Sequence, residues 1–265
     1  MQQLAYSALT HPGRVRTNNE DSVLASPPVF VVADGVGGSS AGEVASGIVV
    51  DEFAKLLPGS VDDRQVSAAL ARANNRILTH NERNDVQSAT TAAGAVALDN
   101  GSGQGYWLFF NIGDSRVYRR TGPVGQPLIQ VSVDHSRVQE LLESGEISPE
   151  EAWRHPERNV VTRAVGSLGF LPDFWLMPRN VGERIMICSD GLLNDSPGAE
   201  VKRIVKEVEG AERVAQHLLA LALHHGARDN ATVIVIDVLD DGSDVDSTVP
   251  MAQTVLTARR NHPHV

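Results

Sequence analysis

The amino-acid sequence predicts an α+β fold in which antiparallel β-sheets are covered by helices. Strand-like runs at 90–98, 106–112 and 115–119 follow one another with connections too short for a helical crossover, so these strands must be antiparallel. Helical patterns occur in pairs between groups of strands, which argues against a doubly wound parallel sheet. With 265 residues, 42% of them hydrophobic, the chain is long enough to bury the core of such a fold.

The spacing of apolar residues predicts the individual elements. Apolar runs of strand length occupy residues 3–9, 29–33, 90–98, 106–112, 115–119, 128–132, 184–188 and 232–238. Helical patterns occupy residues 41–57, 63–82, 135–144, 199–208 and 211–225. Residues 134–172 are polar and hold few strand-like runs, which indicates an insertion within a domain of residues 1–239. Apolar periodicity is lost after this domain, and we expect residues 240–265 to form a flexible tail.

Composition argues against several classes of function. The net charge of −10 argues against a nucleic-acid surface, which needs a basic patch. The apolar runs are too short to cross a bilayer, and the N-terminal residues lack the apolar stretch of a signal peptide. The single cysteine, Cys188, excludes an internal disulfide and suits a reducing compartment. We therefore expect a cytoplasmic protein that binds neither nucleic acid nor membranes.

Aspartates recur at the ends of the predicted strands. An aspartate follows the apolar runs of VFVVADG, FFNIGDS and RIMICSDG, at Asp34, Asp114 and Asp190, and Asp229 precedes the last strand. One such residue is more often only part of a turn, but four can converge where antiparallel strand ends meet. Clustered like charges are costly unless a cation neutralises them. Carboxylates without thiolates or paired imidazoles favour Mg²⁺ or Mn²⁺, so the sequence predicts such a site.

Neighbouring residues extend this predicted site. Gly35 can offer its carbonyl as a ligand, and the glycine-rich loop around it leaves room for a metal-bound water. Two ions about 4 Å apart would activate such a water and clamp a phosphoryl group. Near the N-terminus, GRVRTNNEDS adds the carboxylates of Glu20 and Asp21 and the guanidinium of Arg16. A planar guanidinium fork suits two phosphate oxygens.

Six segments occur in order along the chain: RVRTNNEDS, VVADGVGG, FNIGDSRVY, VDHS, ICSDGLLND and RDNATVIV. Together they resemble the bacterial members of the metal-dependent serine/threonine protein phosphatases of type 2C, the PPM family. The resemblance implies a four-layer αββα sandwich with two or three Mn²⁺ or Mg²⁺ ions in a cleft at one sheet edge. It implies hydrolysis of phosphoserine and phosphothreonine in proteins by a metal-activated water. It also implies a monomer that opposes a bacterial Ser/Thr kinase and acts on its targets. Residues 134–172 resemble the flap of bacterial members.

The resemblance implies a role for each central residue. Asp34 would bridge two metal ions, and the Gly35 carbonyl would be a further ligand. Asp190 and Asp229 would hold the first of these ions. Arg16 would grip the substrate phosphate, so that Arg16, Asp34 and Asp190 form the catalytic set. The roles of the remaining carboxylates are implied in the same way: Glu20 or Asp21 would act at the second metal, partly through water, and Asp114 would bind a looser third metal together with Asp190.

Two positions depart from a simple assignment. Val36 stands where some members, typically eukaryotic ones, carry a histidine proposed as the general acid, so no residue of this chain is assigned that role. His135 lies in the family-like VDHS, but hydrogen bonding within a loop is the commoner role for such a residue.

Three other functions compete with this interpretation. A cysteine-based phosphatase needs a thiolate beside an arginine in the same loop, and the residues after Cys188, SDGLLN, contain no arginine. An inactive relative that only binds phosphopeptides should have lost metal ligands, whereas all four strand-end aspartates are present. A related enzyme that acts on a small phosphoester stays open at this point.

Overall fold

The computed structural model describes residues 3–37, 41–99, 105–122, 125–152 and 154–240. The predicted tail lies outside these residues beyond Asp240. Two sheets, each antiparallel throughout, dominate the described chain. The first sheet has the strand order β1 (Gln3–His11), β11 (Ala231–Leu239), β10 (Arg184–Cys188), β7 (Arg116–Arg120), β8 (Leu128–Gln130). The second has the order β2 (Asp21–Ser26), β3 (Val29–Gly37), β5 (Ala92–Asp99), β6 (Gly105–Ile112), β9 (Asp173–Pro178), with β4 (Ser88–Thr90) paired to β3.

Helices cover the outer face of each sheet. The described helices are α1 (Ala41–Ala54), α2 (Asp63–Asn84), α3 (Arg137–Glu143), α4 (Pro149–Ala152), α5 (Gly191–Asn194), α6 (Gly198–Glu207) and α7 (Ala211–His224). α1 and α2 pack on the second sheet in one apolar cluster, and α6 and α7 pack on the first sheet in another. A third cluster fills the space between the two sheets. The layers are therefore helix, sheet, sheet and helix, which confirms the predicted αββα architecture.

The strand β3 shows why its sequence is apolar almost throughout. Side chains alternate between the two faces of a strand, so Val29 and Val31 pack against the helices whereas Phe30 and Val32 face the other sheet. Between the sheets, the ring of Phe30 meets the edge of Trp107 at a centroid distance of 6.4 Å. Both faces of this strand are covered, which explains why it reads as a continuous apolar run rather than an alternating one.

Local sequence also explains where the long helix α2 begins. The carboxylate of Asp62 accepts a hydrogen bond from the backbone amide of Gln65 at 2.7 Å, and the Gln65 side chain accepts one from the Asp62 amide at 2.9 Å. This reciprocal capping box satisfies two amides that the helix itself leaves free. The buried residues then recur at helical spacing, at Val66, Ala69, Leu70, Ala73 and Ile77.

Most predicted elements are present, but three strands and two short helices were not predicted: β2, β4, β9, α4 and α5. One part of the topology also differs. β5 and β6 pair antiparallel as expected, but β7 does not continue that sheet and instead pairs with β10 in the first sheet. The short connection between β6 and β7 therefore passes from one sheet to the other.

The polar segment 134–172 lies between β8 and β9 and carries α3 and α4. An isolated bridge between Val165 and Thr90 attaches the segment to β4, and a second bridge, between Ser136 and Val161, lies within the segment. Its function as a flap stays a prediction. None of the helices in the described ranges combines the length and the apolar composition needed to cross a membrane.

Candidate metal centre

The predicted aspartates meet at one rim of the sandwich. Asp34 lies in β3, Asp114 follows β6, Asp190 follows β10 and Asp229 precedes β11. Asp21, the first residue of β2, is paired in register with Asp34. Burial and then the negative charges of Asp21, Asp190, Asp114 and Asp229 hold the pKa of Asp34 well above its usual range. The structure therefore places Asp34 within the electrostatic reach of all four other carboxylates.

Asp34 and Asp190 are in direct contact. A hydrogen bond between the two side chains acts to lower the pKa of Asp190, against the effect of burial. Asp190 also accepts a hydrogen bond from the Asn194 side-chain amide at 2.8 Å, one turn into α5. Burial is the main cause that raises the pKa of Asp190, and the charge of Asp229 raises it further.

Asp21 is buried below the other carboxylates. Its Oδ2 accepts hydrogen bonds from the hydroxyls of Ser189, at 2.8 Å, and Thr232, at 2.6 Å. Its Oδ1 is buried and has no hydrogen-bond partner among the described residues. Burial raises the pKa of Asp21 to about 6, and the charges of Asp190 and Asp229 add to the shift. A buried carboxylate oxygen without a donor is costly and suits a cation.

Asp114 lies on a sharp turn that His135 holds in place. The backbone amide of His135 donates to the Gly113 carbonyl at 2.9 Å, and the Gly113 amide donates to Nδ1 of His135 at 3.1 Å. Gly113 has φ +108°, a conformation that favours glycine. Burial, followed by the charges of Asp190 and Asp134, raises the pKa of Asp114 to about 7. His135 is thus a hydrogen-bonding residue of this loop.

Arg16 reaches the same rim through Asp229. A guanidinium nitrogen donates to Oδ2 of Asp229 at 2.8 Å, and both side chains are about half exposed. This hydrogen bond, together with the charges of Asp229 and Glu20, raises the pKa of Arg16. Glu20 lies beside this pair: burial raises its pKa, whereas attraction to Arg16 lowers it. Arg16 and Glu20 therefore belong to the same charge cluster as the aspartates.

Gly35 has a packing role as well as its predicted ligand role. A Cβ at this position would lie 2.1 Å from the carbonyl oxygen of Gly42, at the start of α1. The Gly35 amide donates to the Glu20 carbonyl at 3.1 Å. The absence of a side chain thus lets α1 and the Glu20 backbone approach β3 closely. The role of the Gly35 carbonyl as a ligand stays a prediction.

Several residues that support the carboxylates were not singled out from the sequence. Thr91 fixes the backbone of Asp34, donating its amide to the Asp34 carbonyl at 2.9 Å and accepting the Asp34 amide on its hydroxyl at 2.9 Å. Asn230 accepts the Glu20 amide at 2.8 Å and donates to the carbonyls of Pro12 and Asn18. Asn230 follows Asp229 directly within RDNATVIV, so its place in that segment was the available signal.

The carboxylates lie near one another but do not form a preformed coordination sphere among the described residues. Within the described ranges, no three acidic, histidine or cysteine side chains form a ready-made metal cage. The donor set nevertheless fits hard cations, because it offers carboxylate oxygens and no thiolate. The unsatisfied Oδ1 of Asp21 and the raised pKa values of Asp34 and Asp190 fit the same conclusion, because a bound cation would stabilise the charged carboxylates.

Cys188 cannot supply a nucleophile in this structure. Its side chain is fully buried in the core of the first sheet. Burial raises the pKa of the thiol to about 12, so the reactive thiolate is absent at neutral pH. This geometry excludes the cysteine-based alternative.

Comparison with known proteins identifies relatives of this chain. The model of the family described as protein phosphatase 2C matches residues 14–224. The serine/threonine protein phosphatase PstP of Mycobacterium tuberculosis is 38% identical over 245 residues, which cover 89% of this chain but only 45% of that protein. The serine/threonine phosphatase stp of Listeria monocytogenes is 32% identical, with 86% of this chain and 93% of that protein covered. The catalytic domain of PstP, solved in complex with two manganese ions, superimposes with a TM-score of 0.80 at 33% identity, covering 91% of this chain and 100% of that one.

Proposed function

The chain belongs to the protein phosphatase 2C family, and from this premise we propose that it hydrolyses phosphoserine and phosphothreonine in proteins with the help of Mn²⁺ or Mg²⁺. The observation that carries the proposal is the convergence of five aspartates at one rim, where burial and the neighbouring carboxylates raise the pKa values of Asp21, Asp34, Asp114 and Asp190. A rim with this much uncompensated negative charge can accept a phosphate only together with cations.

The proposed ligands follow from the positions of the side chains. Asp34 lies centrally and is assigned to two ions, with the Gly35 carbonyl beside it. Asp190 and Asp229 are assigned as the further ligands of the first ion, and Asp114 as a ligand of a third, more weakly bound ion. When bound, such ions lower the pKa of a water molecule and neutralise the phosphoryl group. The unsatisfied oxygen of Asp21, together with the Glu20 carboxylate, is assigned to the second ion.

Arg16 is assigned to the substrate phosphate. Its guanidinium is about half exposed and is oriented by Asp229 at 2.8 Å. When a cation binds the Asp229 carboxylate, the other N–H donors of this planar guanidinium can bind two phosphate oxygens. Arg16 would thereby position the phosphate against the carboxylate cluster.

The proposed setting is that of the bacterial relatives. We assign the chain, as a cytoplasmic monomer, to the dephosphorylation of proteins modified by a Ser/Thr kinase, including the kinase itself. The domain would end near residue 239, where β11 ends. The match to this chain covers only 45% of the mycobacterial relative. The proposed activity and partners are therefore assigned to the matched domain alone.

Phosphopeptide hydrolysis tests the proposal directly. With Mn²⁺ present, we expect the chain to release phosphate from phosphoserine and phosphothreonine peptides about tenfold or more faster than from a phosphotyrosine peptide of the same sequence. The reason is that the relatives named above are serine/threonine phosphatases. Malachite-green assays of the three peptides provide the measurement. Turnover of small phosphoesters without turnover of either phosphopeptide would contradict the proposal.

We assign the segment 134–172 to contacts with a protein substrate. Val165 bridges to Thr90, whose hydroxyl donates to the Asp34 carbonyl at 2.9 Å. On the other side, the charge of Arg158 helps to lower the pKa of Asp195, after the stronger effect of hydrogen bonds from Arg228. The segment therefore borders the metal centre without supplying any of its aspartates.

We expect the double substitution Arg154→Ala with Arg158→Ala to raise KM for phosphopeptides about two- to thirtyfold, because each lost exposed charge contact is worth about 0.2–1 kcal/mol. kcat should hold steady, since such binding is common to ground and transition states. Steady-state kinetics on a phosphopeptide and on para-nitrophenyl phosphate, which is too small to reach the segment, provide the measurement. The matched control removes two exposed arginines of α2, Arg64→Ala with Arg83→Ala. Equal losses on both substrates would refute a recognition role.

A further inference from the structure

A groove lies on the first sheet at the end of the molecule opposite the metal centre. It is bordered by α6 and by the edge strand β8 and has a volume of about 550 Å³. Pro127 and Leu128 form an apolar wall. β10 runs from Arg184, near this groove, to Cys188, two residues before Asp190. The length of the strand β10 thus separates the groove from the candidate metal centre.

The groove is positively charged. Lys202, Arg203 and Lys206 of α6 line it, against the single acid Glu207. None of the three cations forms an ion pair with another residue in the described part of the chain. Below them Arg120 is buried, with a guanidinium nitrogen 3.3 Å from the Lys206 carbonyl and an Nε that lacks a described hydrogen-bond partner. We call this surface the basic groove.

The described chain ends beside the basic groove. Arg184 forms two hydrogen bonds with the Asp237 carboxylate, at 2.5 and 2.8 Å. The same guanidinium donates to the carbonyls of Val205 and Val208, at 3.0 and 2.7 Å. One buried arginine thereby joins the last turn of α6 to the end of β11. The chain leaves β11 at Leu239, two residues after Asp237.

The residues that follow are complementary in charge. The segment 241–246 reads DGSDVD, with three carboxylates and no basic residue, and the next basic residue is Arg259. An extended chain covers about 3.3 Å per residue, so six residues reach about 20 Å. α6, with ten residues, is about 15 Å long. The acidic segment can therefore lie along the whole of α6 from its C-terminal end.

We propose that the segment 241–246 of this chain occupies the basic groove. Asp241, Asp244 and Asp246 are the carboxylates that would pair with the cations of α6. This docking fixes the C-terminal segment on the face away from the metal centre. It is independent of the proposed activity, and hydrolysis of a small phosphoester should not change when the segment is released.

Limited proteolysis of the full chain tests the proposal. A protease that cleaves before aspartate has three sites in the segment, at Asp241, Asp244 and Asp246, and docking should protect them. We expect Lys202→Gln with Lys206→Gln to speed cleavage there about two- to thirtyfold, because two exposed charge contacts are lost. The control, Arg64→Gln with Arg83→Gln, removes the same charge from exposed positions on α2 and should leave the rate unchanged. Mass spectrometry locates each cut.

The outcomes separate the possible occupants. Faster cleavage in the groove variant alone, at a rate independent of protein concentration, supports docking within one chain. Equal cleavage rates in the unaltered protein, the groove variant and the control would overturn the proposal. Protection that grows with protein concentration would place the segment of a second copy in the groove and would overturn the assignment to the same chain.

Discussion

Removal of divalent metal with excess EDTA is expected to reduce phosphopeptide hydrolysis to background, a loss of about a thousandfold or more, and Mn²⁺ should restore it. The physical reason lies in the uncompensated charge of the rim. Burial and mutual repulsion raise the pKa values of Asp34 and Asp190, and raise those of Asp21 and Asp114 to about 6 and about 7. Such a rim repels a phosphate dianion. Phosphate release before chelation, after chelation and after Mn²⁺ addition is the measurement.

A matched variant separates this mechanism from a thiol mechanism. Cys188 is the single cysteine of the chain, and Cys188→Ser should keep nearly full activity and the same dependence on metal. A cysteine-based enzyme would show the reverse pattern, with activity that survives EDTA and is lost in the serine variant. Full activity in protein shown by elemental analysis to be free of metal would refute the assignment of the carboxylates.

Much of the fold could be predicted because its strands are buried on both faces. The runs at 29–33, 184–188 and 232–238 coincide with β3, β10 and β11, whose apolar residues are required by the layers above and below. β2 and β9 border the second sheet and are only partly buried, so their apolar signal is weak. The passage of the chain from the second sheet to the first between β6 and β7 could not be predicted. A short connection shows that the chain reverses direction, but it does not show which sheet the next strand joins.

The candidate site could be predicted from the recurrence of charged residues in the sequence, but its supporting contacts depend on the three-dimensional fold. The carboxylates are conspicuous in the sequence because they recur at four strand ends, and clustered like charges are costly without a cation. The hydroxyls of Ser189 and Thr232, which donate to Asp21, leave no such signal, because an isolated uncharged hydroxyl has many possible partners. The pairing of Arg16 with Asp229 joins residues 213 positions apart and depends on the complete fold.

The substitution Asp34→Asn should be the most damaging single change to the site, with kcat/KM reduced about a thousandfold, or about 4 kcal/mol in activation free energy. Asp34 is central because four other carboxylates influence its pKa, and its amide replacement weakens the hold on two ions together. Mn²⁺ titration by calorimetry should show both tight sites weakened. Unchanged kinetics in the variant would mean that Asp34 does not bridge the ions.

The same variant should make the metal-free protein more stable at neutral pH. The pKa of Asp34 is raised in the folded state, so between the ordinary aspartate pKa, about 4, and neutral pH the folded state binds more protons than the unfolded state. The free energy of unfolding then falls as pH rises through this window. Asp34→Asn removes one such group, so its Tm without metal should exceed that of the unaltered protein at pH 7 and depend less on pH. Asp51→Asn is the control: it removes an exposed carboxylate of α1 that is paired with Arg76 at 3.6 Å, so its Tm should not rise. A lower Tm for Asp34→Asn would contradict the electrostatic account.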